Sequence, residues 1–384
     1  MNNIDNSKPI IGIIGGHLNN TNFHALELAE KTGEILAKRG FTIASGGENG
    51  IMDPELMKKL PHRNEGGSFK IGEEGDGNLS DMIPLEEYGM VIVTRKSVWR
   101  IMLADNIDPQ RNNANIPRHL QERLLSYGSD DPIVGRTLLQ GKELLLQHLP
   151  DTINKYQGMQ SVLAFTKELA AMNDELKKLR EEYTEIQERF NGSVRDDGSF
   201  VLPALKNLER RTKEIIQNID HMGGIVINIT KLFPIEIPQK NPLGKLIEQT
   251  EQKFGNKHAV TRAISELNQK AAWWRLLRND MEHPSDSGRV IFENYKMTDS
   301  AKIEMPIIKH TRENSPFHSI DLIQFIVESQ GEIIDLFETT LVLLCDSNTN
   351  TFAGDKVFVR NVLDSERSET NPYMNYKYDI HWTK

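Results

Sequence analysis

The residues with the clearest potential for chemistry are Arg278 and His283, five positions apart at the end of a predicted helix. Near a fraying helix end this spacing lets both side chains reach one side of the chain, so one phosphodiester could contact both. A guanidinium suits the charge that develops on phosphate, and an imidazole exchanges protons near neutral pH. This pairing needs no metal ion and suits the cleavage of RNA, while Asn279 points elsewhere. His283 would either take the proton of a 2′-hydroxyl or give one to the leaving oxygen, while Arg278 stabilises the phosphorane.

The same residues also permit a purely structural interpretation. The helix dipole favours cations at helix C-termini, so Arg278 could be a surface arginine there. His283 could equally cap the helix before Pro284. The sequence alone leaves both interpretations open.

A second arginine and histidine with a similar spacing occur at Arg312 and His318. So short a motif is therefore not specific by itself. Pro316 interrupts any helix between them, and Glu313 would offset the charge of the arginine. We therefore prefer the first pair. Spacings typical of metal sites, such as HExxH and CxxC, do not occur in the sequence, so we expect neither a metal ion nor a cofactor.

Two glycine turns that follow predicted strands form a second candidate site, in the N-terminal part of the chain. Glycine lets the backbone approach a phosphate closely, and free N–H groups at a helix start attract anions. The turns therefore predict a site for a phosphate-bearing ligand, although a scaffold that binds nothing is the alternative. The predicted ligand-binding residues are Gly15, Gly16, Gly46, Gly47, Asn49, Gly50, Arg95 and Arg100.

This N-terminal pattern resembles the LOG family, the lysine-decarboxylase-like proteins, which are Rossmann-like phosphoribohydrolases of nucleoside monophosphates. The resemblance rests on a strand that ends in glycine, a helix, and a strand that runs into the GG-x-x-G-[IL]-M motif at residues 46–52. It continues through residues 66–72, and more loosely through 93–105, and so covers about the first 110 residues. The wider SLOG superfamily includes sensor domains for nucleotide-derived signals, which implies a sensing role here.

The catalytic turn of the LOG family has no counterpart in this chain. That turn reads PGGxGTxxE, and residues 106–140 contain no GGxGT. The nearest cluster, at residues 135–137, lacks a following glutamate in register. The resemblance therefore implies ligand recognition rather than hydrolysis.

A heptad pattern organises the chain beyond residue 150. Apolar residues recur at alternating spacings of three and four over 162–190, and again over 205–226. Two antiparallel helices joined by a turn at 191–198 are implied, a hairpin that typically serves packing or dimerisation. The pair Gly223 and Gly224 leaves residues 223–229 open to a strand interpretation, although we favour a helix.

The string Arg278-Asn279-x-x-x-His283 within a helical region resembles the HEPN superfamily. These are nucleotide-binding helical bundles, many of them metal-independent endoribonucleases of toxin and phage-defence systems. The resemblance covers roughly residues 155–345 and implies a site composed across a dimer, which would give the heptad hairpin a purpose.

The remaining periodicity completes the predicted architecture. We predict helices over 243–254, 258–282 and 320–345, a β-hairpin between 290 and 308, and a polar tail with a small strand pair. The fold class is an α/β Rossmann-like N-terminal domain followed by a mainly α-helical domain with a small β-hairpin insertion. The predicted domains are a SLOG/LOG-like unit (1–110), a connector (111–150), a HEPN-like helical domain (151–345) and a C-terminal tail (346–384).

Composition narrows the class of protein. The net charge of -9 argues against a protein that coats nucleic acid by bulk electrostatics. The single cysteine, Cys345, cannot form an intramolecular disulfide, and no apolar run reaches the ~18–20 residues that cross a bilayer. We therefore expect a cytoplasmic protein that does not enter membranes.

Three functions remain open from the sequence. The leading one is a nucleotide-sensing effector of bacterial stress or antiviral defence, assembled as a homodimer or larger homo-oligomer, that cleaves RNA. The second is a LOG-like nucleoside-monophosphate phosphoribohydrolase. The third is a catalytically silent protein that binds nucleotides and oligomerises.

Overall fold

The computed structural model describes residues 11–13, 43–45, 60, 63, 70–85, 89–189, 196–233, 242–352 and 354–381. The chain divides into two compact units, each built from two chain segments. Unit 1 comprises residues 1–135 and 365–373, and unit 2 comprises residues 136–364 and 374–384. The division therefore falls after Gly135, whereas the sequence suggested a connector over 111–150 and a boundary near residue 150.

Unit 1 contains a parallel pair of short strands, β1 (Ile11–Ile13) and β2 (Ile43–Ser45), with Ile11 opposite Ile43. Parallel neighbours require a long crossover connection, usually a helix. The pairing is therefore the one that the predicted strand-helix-strand unit requires. The predicted helix over 23–39 lies outside the described residues.

A four-stranded antiparallel sheet forms the rest of the described part of unit 1. Its strands are β3 (Leu79–Leu85), β4 (Gly89–Thr94), β5 (Val98–Leu103) and β6 (His119–Leu125), in that order across the sheet. Two short helices, α1 (Ala104–Ile107) and α2 (Pro132–Val134), follow β5 and β6.

This meander differs from a Rossmann-like arrangement, in which neighbouring strands are parallel. The reason is local, because β4 and β5 are joined by a tight turn that the Thr94 N–H closes on the Ser97 carbonyl at 2.9 Å, and so short a link permits only antiparallel pairing. Residues 119–125, within the predicted connector, supply the fourth strand. The sheet is packed around fully buried side chains, among them Ile83, Val91, Val93 and Val98.

Unit 2 is helix-rich, as the periodicity predicts. A π-helical turn at Gly135–Leu139 leads into α3 (Gln140–Leu146), and the longer helices then follow in chain order. They are α4 (Lys155–Arg189), α5 (Leu208–Thr230), α6 (Pro242–Phe254), α7 (Ala259–Glu282) and α8 (Leu322–Asp346). Residues 223–229 lie inside α5, so the helical interpretation of the double-glycine segment is confirmed.

The heptad seam is buried within the chain itself. Of its positions in α4, Val162, Phe165 and Leu169 are all fully buried. Arg211 of α5 forms ion pairs with Glu175 and Glu182 of α4. His221, further along α5, pairs with a residue earlier in α4, so the two helices run antiparallel as predicted. The seam thus serves packing inside unit 2.

Helix α7 also packs against α5, and a glycine determines how closely. A Cβ at Gly223 would lie 3.1 Å from Cε3 of Trp274, which is 2% exposed. A Cβ at the neighbouring Gly224 would meet nothing within 4 Å. The first glycine therefore admits the indole, while the second has no packing role among the described residues.

We expect Gly224→Ala to raise the free energy of unfolding by ~0.5–1 kcal/mol, because alanine is the better helix former and the added methyl meets open space. Gly223→Ala is the matched control, and it should gain less or lose stability because Trp274 must shift. Chemical denaturation of both variants measures the difference. Equal gains would contradict the packing described for Trp274.

Small sheets complete unit 2. The strands β7 (Val290–Glu293), β8 (Lys296–Met297), β9 (Ile303–Glu304) and β10 (Ile307–His310) form the predicted hairpin, with β7 paired to β10 and β8 to β9. A further strand, β11 (Ser319–Asp321), pairs with β10. The tail holds β12 (Thr351–Phe352), β13 (Asp355–Asn361), a 3₁₀ turn at Asp364–Glu366 and β14 (Tyr376–His381), in a three-stranded antiparallel sheet where the sequence suggested a strand pair. Among the described helices, none has the length and apolarity to cross a bilayer.

Candidate functional site

The predicted catalytic residues lie at the C-terminal end of α7. Arg278 and Asn279 belong to its last turns, and His283 is the residue that caps it. The backbone N–H of His283 donates to the Asn279 carbonyl at 2.7 Å, and Pro284 then prevents the helix from continuing. The side chains of Asn279 and His283 are exposed. The structural role suggested for His283 and a functional one are therefore compatible, because the backbone makes the cap and leaves the imidazole free to act.

Arg278 is held between two carboxylates. Its Nε donates to Oε1 of Glu282 at 3.1 Å, and its Nη1 donates to Oδ2 of Asp220 on α5, also at 3.1 Å. The side chain of Asp220 is 10% exposed, so it requires a cation, and Arg275 approaches its other oxygen at 3.7 Å. Hydrogen bonding to Glu282 and then to Asp220 raises the pKa of Arg278. Sequence reasoning missed Asp220, because nothing in a helical repeat marks one acidic residue as the partner of another helix.

These contacts orient the guanidinium while leaving part of it accessible. Gln217 donates to the same Glu282 oxygen at 3.0 Å. The hydrogen bond from Arg278, and after it the one from Gln217, lowers the pKa of Glu282. The Arg278 side chain is 41% exposed, and within the described part of the chain its Nη2 has no hydrogen-bond acceptor. The exposed edge of the Arg278 guanidinium, at Nη2, can therefore contact a phosphate. No hydrogen bond joins Arg278 to the imidazole of His283 among the described residues.

A buried polar cluster lies beside this helix end. Asp280 is 5% exposed and His310 of β10 is fully buried, and His310 Nε2 lies 2.8 Å from Oδ2 of Asp280. Arg312 completes a bidentate pair with the same carboxylate, from Nε at 2.7 Å and from Nη2 at 2.6 Å. The arginine of the second Arg/His pair is thus occupied by Asp280. Its hydrogen bond is the main cause that lowers the pKa of Asp280, and His310 adds to the effect.

The cluster extends into the loop that follows β10. His310 Nδ1 lies 2.9 Å from Oγ of Ser315, whose hydroxyl also contacts the Phe317 carbonyl. A carbonyl oxygen only accepts, so the Ser315 proton is directed to Phe317, and the serine is not set up as a nucleophile activated by the histidine. A Cβ at Gly288 would lie 2.4 Å from Oδ2 of Asp280, so the backbone at Gly288 packs directly against this carboxylate. The cluster therefore anchors the end of α7.

The N-terminal candidate site is described only in part. Gly15, Gly16, Gly46, Gly47, Asn49 and Gly50 all lie outside the described residues. Arg95, in the turn between β4 and β5, donates from Nε to both oxygens of Asp130 at 2.9 and 3.0 Å, a bond that raises the pKa of Arg95. Arg100 on β5 lies 3.5 Å from a Glu122 oxygen. A phosphate that used either arginine would therefore compete with a carboxylate.

Comparison with known proteins identifies one similarity. Residues 8–67 match the model of the SLOG cluster4 family, and this range includes both glycine turns together with β1 and β2. The N-terminal region is therefore SLOG-like, which confirms this part of the expected resemblance. No curated protein and no solved structure matches the chain. The HEPN-like interpretation of unit 2 stays a prediction.

Proposed function

We propose that this chain is a nucleotide-responsive ribonuclease effector. Its SLOG-like N-terminal region binds a nucleotide-derived small molecule through the glycine turns, and its HEPN-like helical unit cleaves RNA without a metal ion. Arg278 contacts the scissile phosphate, Asn279 lines the site, and His283 transfers a proton. A role in bacterial stress or antiviral defence, in a homodimer, follows from the two resemblances.

One observation supports the cleavage proposal most directly. His283 ends the same helix that carries Arg278 in its last turns. The imidazole of His283 is exposed, and the guanidinium of Arg278 is oriented by two carboxylates and partly exposed. Carbonyl oxygens at a helix C-terminus stabilise positive charge, which suits an imidazolium that donates its proton to the leaving 5′-oxygen.

The test of cleavage uses the purified full chain, labelled RNA and an excess of EDTA, with and without added nucleotides. We expect products that end in a 2′,3′-cyclic phosphate, because the 2′-oxygen attacks the adjacent phosphorus. An intact RNA under all of these conditions would overturn the proposal.

The proposed nucleotide binding predicts that added nucleotide raises the melting temperature of the chain. AMP or a cyclic dinucleotide that binds the folded chain at a concentration 100-fold above its Kd should stabilise it by about 2.7 kcal/mol. Gly47→Asp should remove the shift, because a carboxylate in the predicted cradle repels phosphate. Asn115→Asp adds the same charge at an exposed position and should keep the shift. Differential scanning fluorimetry checks all three proteins, and equal shifts would contradict the site.

A second function has specific support. Arg278 satisfies the buried carboxylate of Asp220, which is a sufficient structural reason for an arginine at this position. In that case unit 2 only binds partners or nucleotides and contributes to assembly. The thermal shift would then persist, and EDTA-resistant cleavage would be absent.

A further inference from the structure

The turn of helix that carries the predicted catalytic residues also has a buried face. Asp280 lies two residues after Arg278 and three before His283. Two residues correspond to a rotation of about 200° around a helix axis, so Asp280 points away from the side that carries Arg278. Asp280 is buried, whereas the Arg278 side chain is 41% exposed and His283 is exposed. A movement of Asp280 therefore moves the backbone of both residues of the motif.

Arg312 holds the Asp280 side chain from the loop that follows β10. Its Nε and Nη2 atoms donate to the two carboxylate oxygens at 2.7 and 2.6 Å, and Nε2 of His310 lies 2.8 Å from one of these oxygens. The planar fork of an arginine fixes the orientation of a carboxylate in addition to balancing its charge, which a lysine ammonium does not do. Arg312 therefore fixes both the position and the plane of this carboxylate.

The chain that follows His283 is held by the same ion pair. A Cβ at Gly288 would lie 2.9 Å from Nη2 of Arg312, so the backbone at Gly288 packs directly against the guanidinium as well as against Asp280. The Ser285 N–H donates to the Gly288 carbonyl at 2.9 Å, which turns the chain back just after the helix. His283 thus lies between two fixed points, and Arg312, Asp280 and Gly288 together form a clamp on the end of α7.

The imidazole of His283 depends on this clamp more than Arg278 does. The carboxylates of Asp220 and Glu282 orient Arg278 directly. Within the described part of the chain, no hydrogen bond orients the His283 side chain, so its backbone alone sets its place. Helix ends fray, and a misplacement of about 1 Å can cost about 10²-fold in rate. A proton donor at a helix end therefore needs its backbone held.

We infer that Arg312 is a positioning residue of the RNA-cleaving site, acting through Asp280 and Gly288 on His283. This inference rests on the function proposed above. Arg312 keeps the backbone of His283 where the imidazolium can protonate the leaving 5′-oxygen, and it contacts neither that oxygen nor the scissile phosphate. The second Arg/His pair thus contributes a support to the first. The clamp lies within one chain, so it serves equally a site that two copies of the chain compose.

Arg136 offers a matched control in the same unit. It pairs with Glu338 of α8, and the carboxylate side chains of Glu338 and Asp280 are 5% and 6% exposed. The side chains of Arg136 and Arg312 are 26% and 28% exposed. Arg136→Lys and Arg312→Lys therefore make the same change at ion pairs of nearly equal burial. Both should lose similar stability, but of the two only Arg312 holds the end of α7.

Single-turnover cleavage of labelled RNA by the full chain in EDTA tests the assignment. We expect Arg312→Lys to lower the maximal rate by about 10–100-fold, while the RNA concentration that gives half of that rate changes by less than about 2-fold. Arg136→Lys should cleave at the wild-type rate. In a His283→Ala background, Arg312→Lys should change the rate by less than about 3-fold, because the group that it positions has been removed.

Urea denaturation of both lysine variants checks that they are folded in the assay. Gly288→Ala perturbs the same clamp without removing a charge, because its Cβ would meet Asp280, and it should give the same loss of maximal rate. A wild-type rate in Arg312→Lys, an equal loss in Arg136→Lys, or a full further loss in the His283→Ala background would each overturn the assignment and leave the ribonuclease intact. A wild-type chain that leaves the RNA uncut would instead overturn the proposed function, and this inference with it.

Discussion

Replacing His283 by alanine is expected to slow metal-independent RNA cleavage by about 10²–10⁴-fold, the usual effect of removing a proton-transfer group. The fold should survive, because the side chain is exposed and the helix cap is made by its backbone N–H, which alanine retains. Substitutions at such positions usually change stability by less than about 0.5 kcal/mol. Single-turnover cleavage in EDTA, together with a denaturation curve, separates the two effects.

The comparison with His318→Ala makes this experiment specific. His318 is also exposed and belongs to the similarly spaced Arg312 pair, whose arginine is bound to Asp280. That variant should retain full activity. Equal losses of cleavage activity in the two variants would show that the effect is not specific to the motif at the end of α7. Wild-type activity in His283→Ala would refute the role of His283.

Asp280→Ala is expected to cost about 3 kcal/mol of unfolding free energy. Removal of the carboxylate leaves the fully buried His310 and the partly buried Arg312 without their common acceptor, and losing one partner of a buried pair typically costs ~3–5 kcal/mol. We use the lower end of that range because Arg312 is 28% exposed. Urea denaturation followed by tryptophan fluorescence measures the loss. The control, Asp286→Ala, removes an exposed carboxylate nearby and should change little.

The same carboxylate predicts a dependence of stability on pH. The hydrogen bond from Arg312 holds the folded-state pKa of Asp280 below its ordinary value. Its stabilising contribution is therefore complete above the unfolded pKa of about 3.9 and disappears as the pH falls through the lower folded value. In Asp280→Asn this part of the acid-induced loss should be absent. Parallel loss of stability below pH 4 in both proteins would contradict the assignment.

The elements that the sequence predicts well are those with a strong local signal. The heptad positions of α4 and α5 place one apolar stripe on each helix, and two such stripes can be buried against each other in only a few ways. The GG segment inside α5 remains helical because Gly223 admits Trp274, a tertiary contact that overrides weak helix propensity. The parallel pairing of β1 and β2 likewise agrees with the glycine-punctuated pattern.

The features that the sequence did not reveal depend on residues far apart in the chain. Asp280, His310 and Arg312 meet only because β10 and its following loop pass the end of α7, and no spacing rule links positions separated by ~30 residues. The antiparallel sheet of unit 1 was also missed. Its strand β6 follows a polar stretch that contains prolines and shows no clear alternation of apolar and polar residues. Pairing with β5, rather than the β-propensity of its own residues, stabilises this strand.

The two segments of unit 1 are far apart in the chain, so the order of synthesis affects how this unit folds. This unit includes residues 365–373, where a Cβ at Gly135 would lie 2.6 Å from Cβ of Tyr373. The first 135 residues therefore emerge long before their last packing partner is translated, and all of residues 136–364 are synthesised in between. Assembly of the N-terminal unit can begin during translation but is completed only after residues 365–373 have been synthesised.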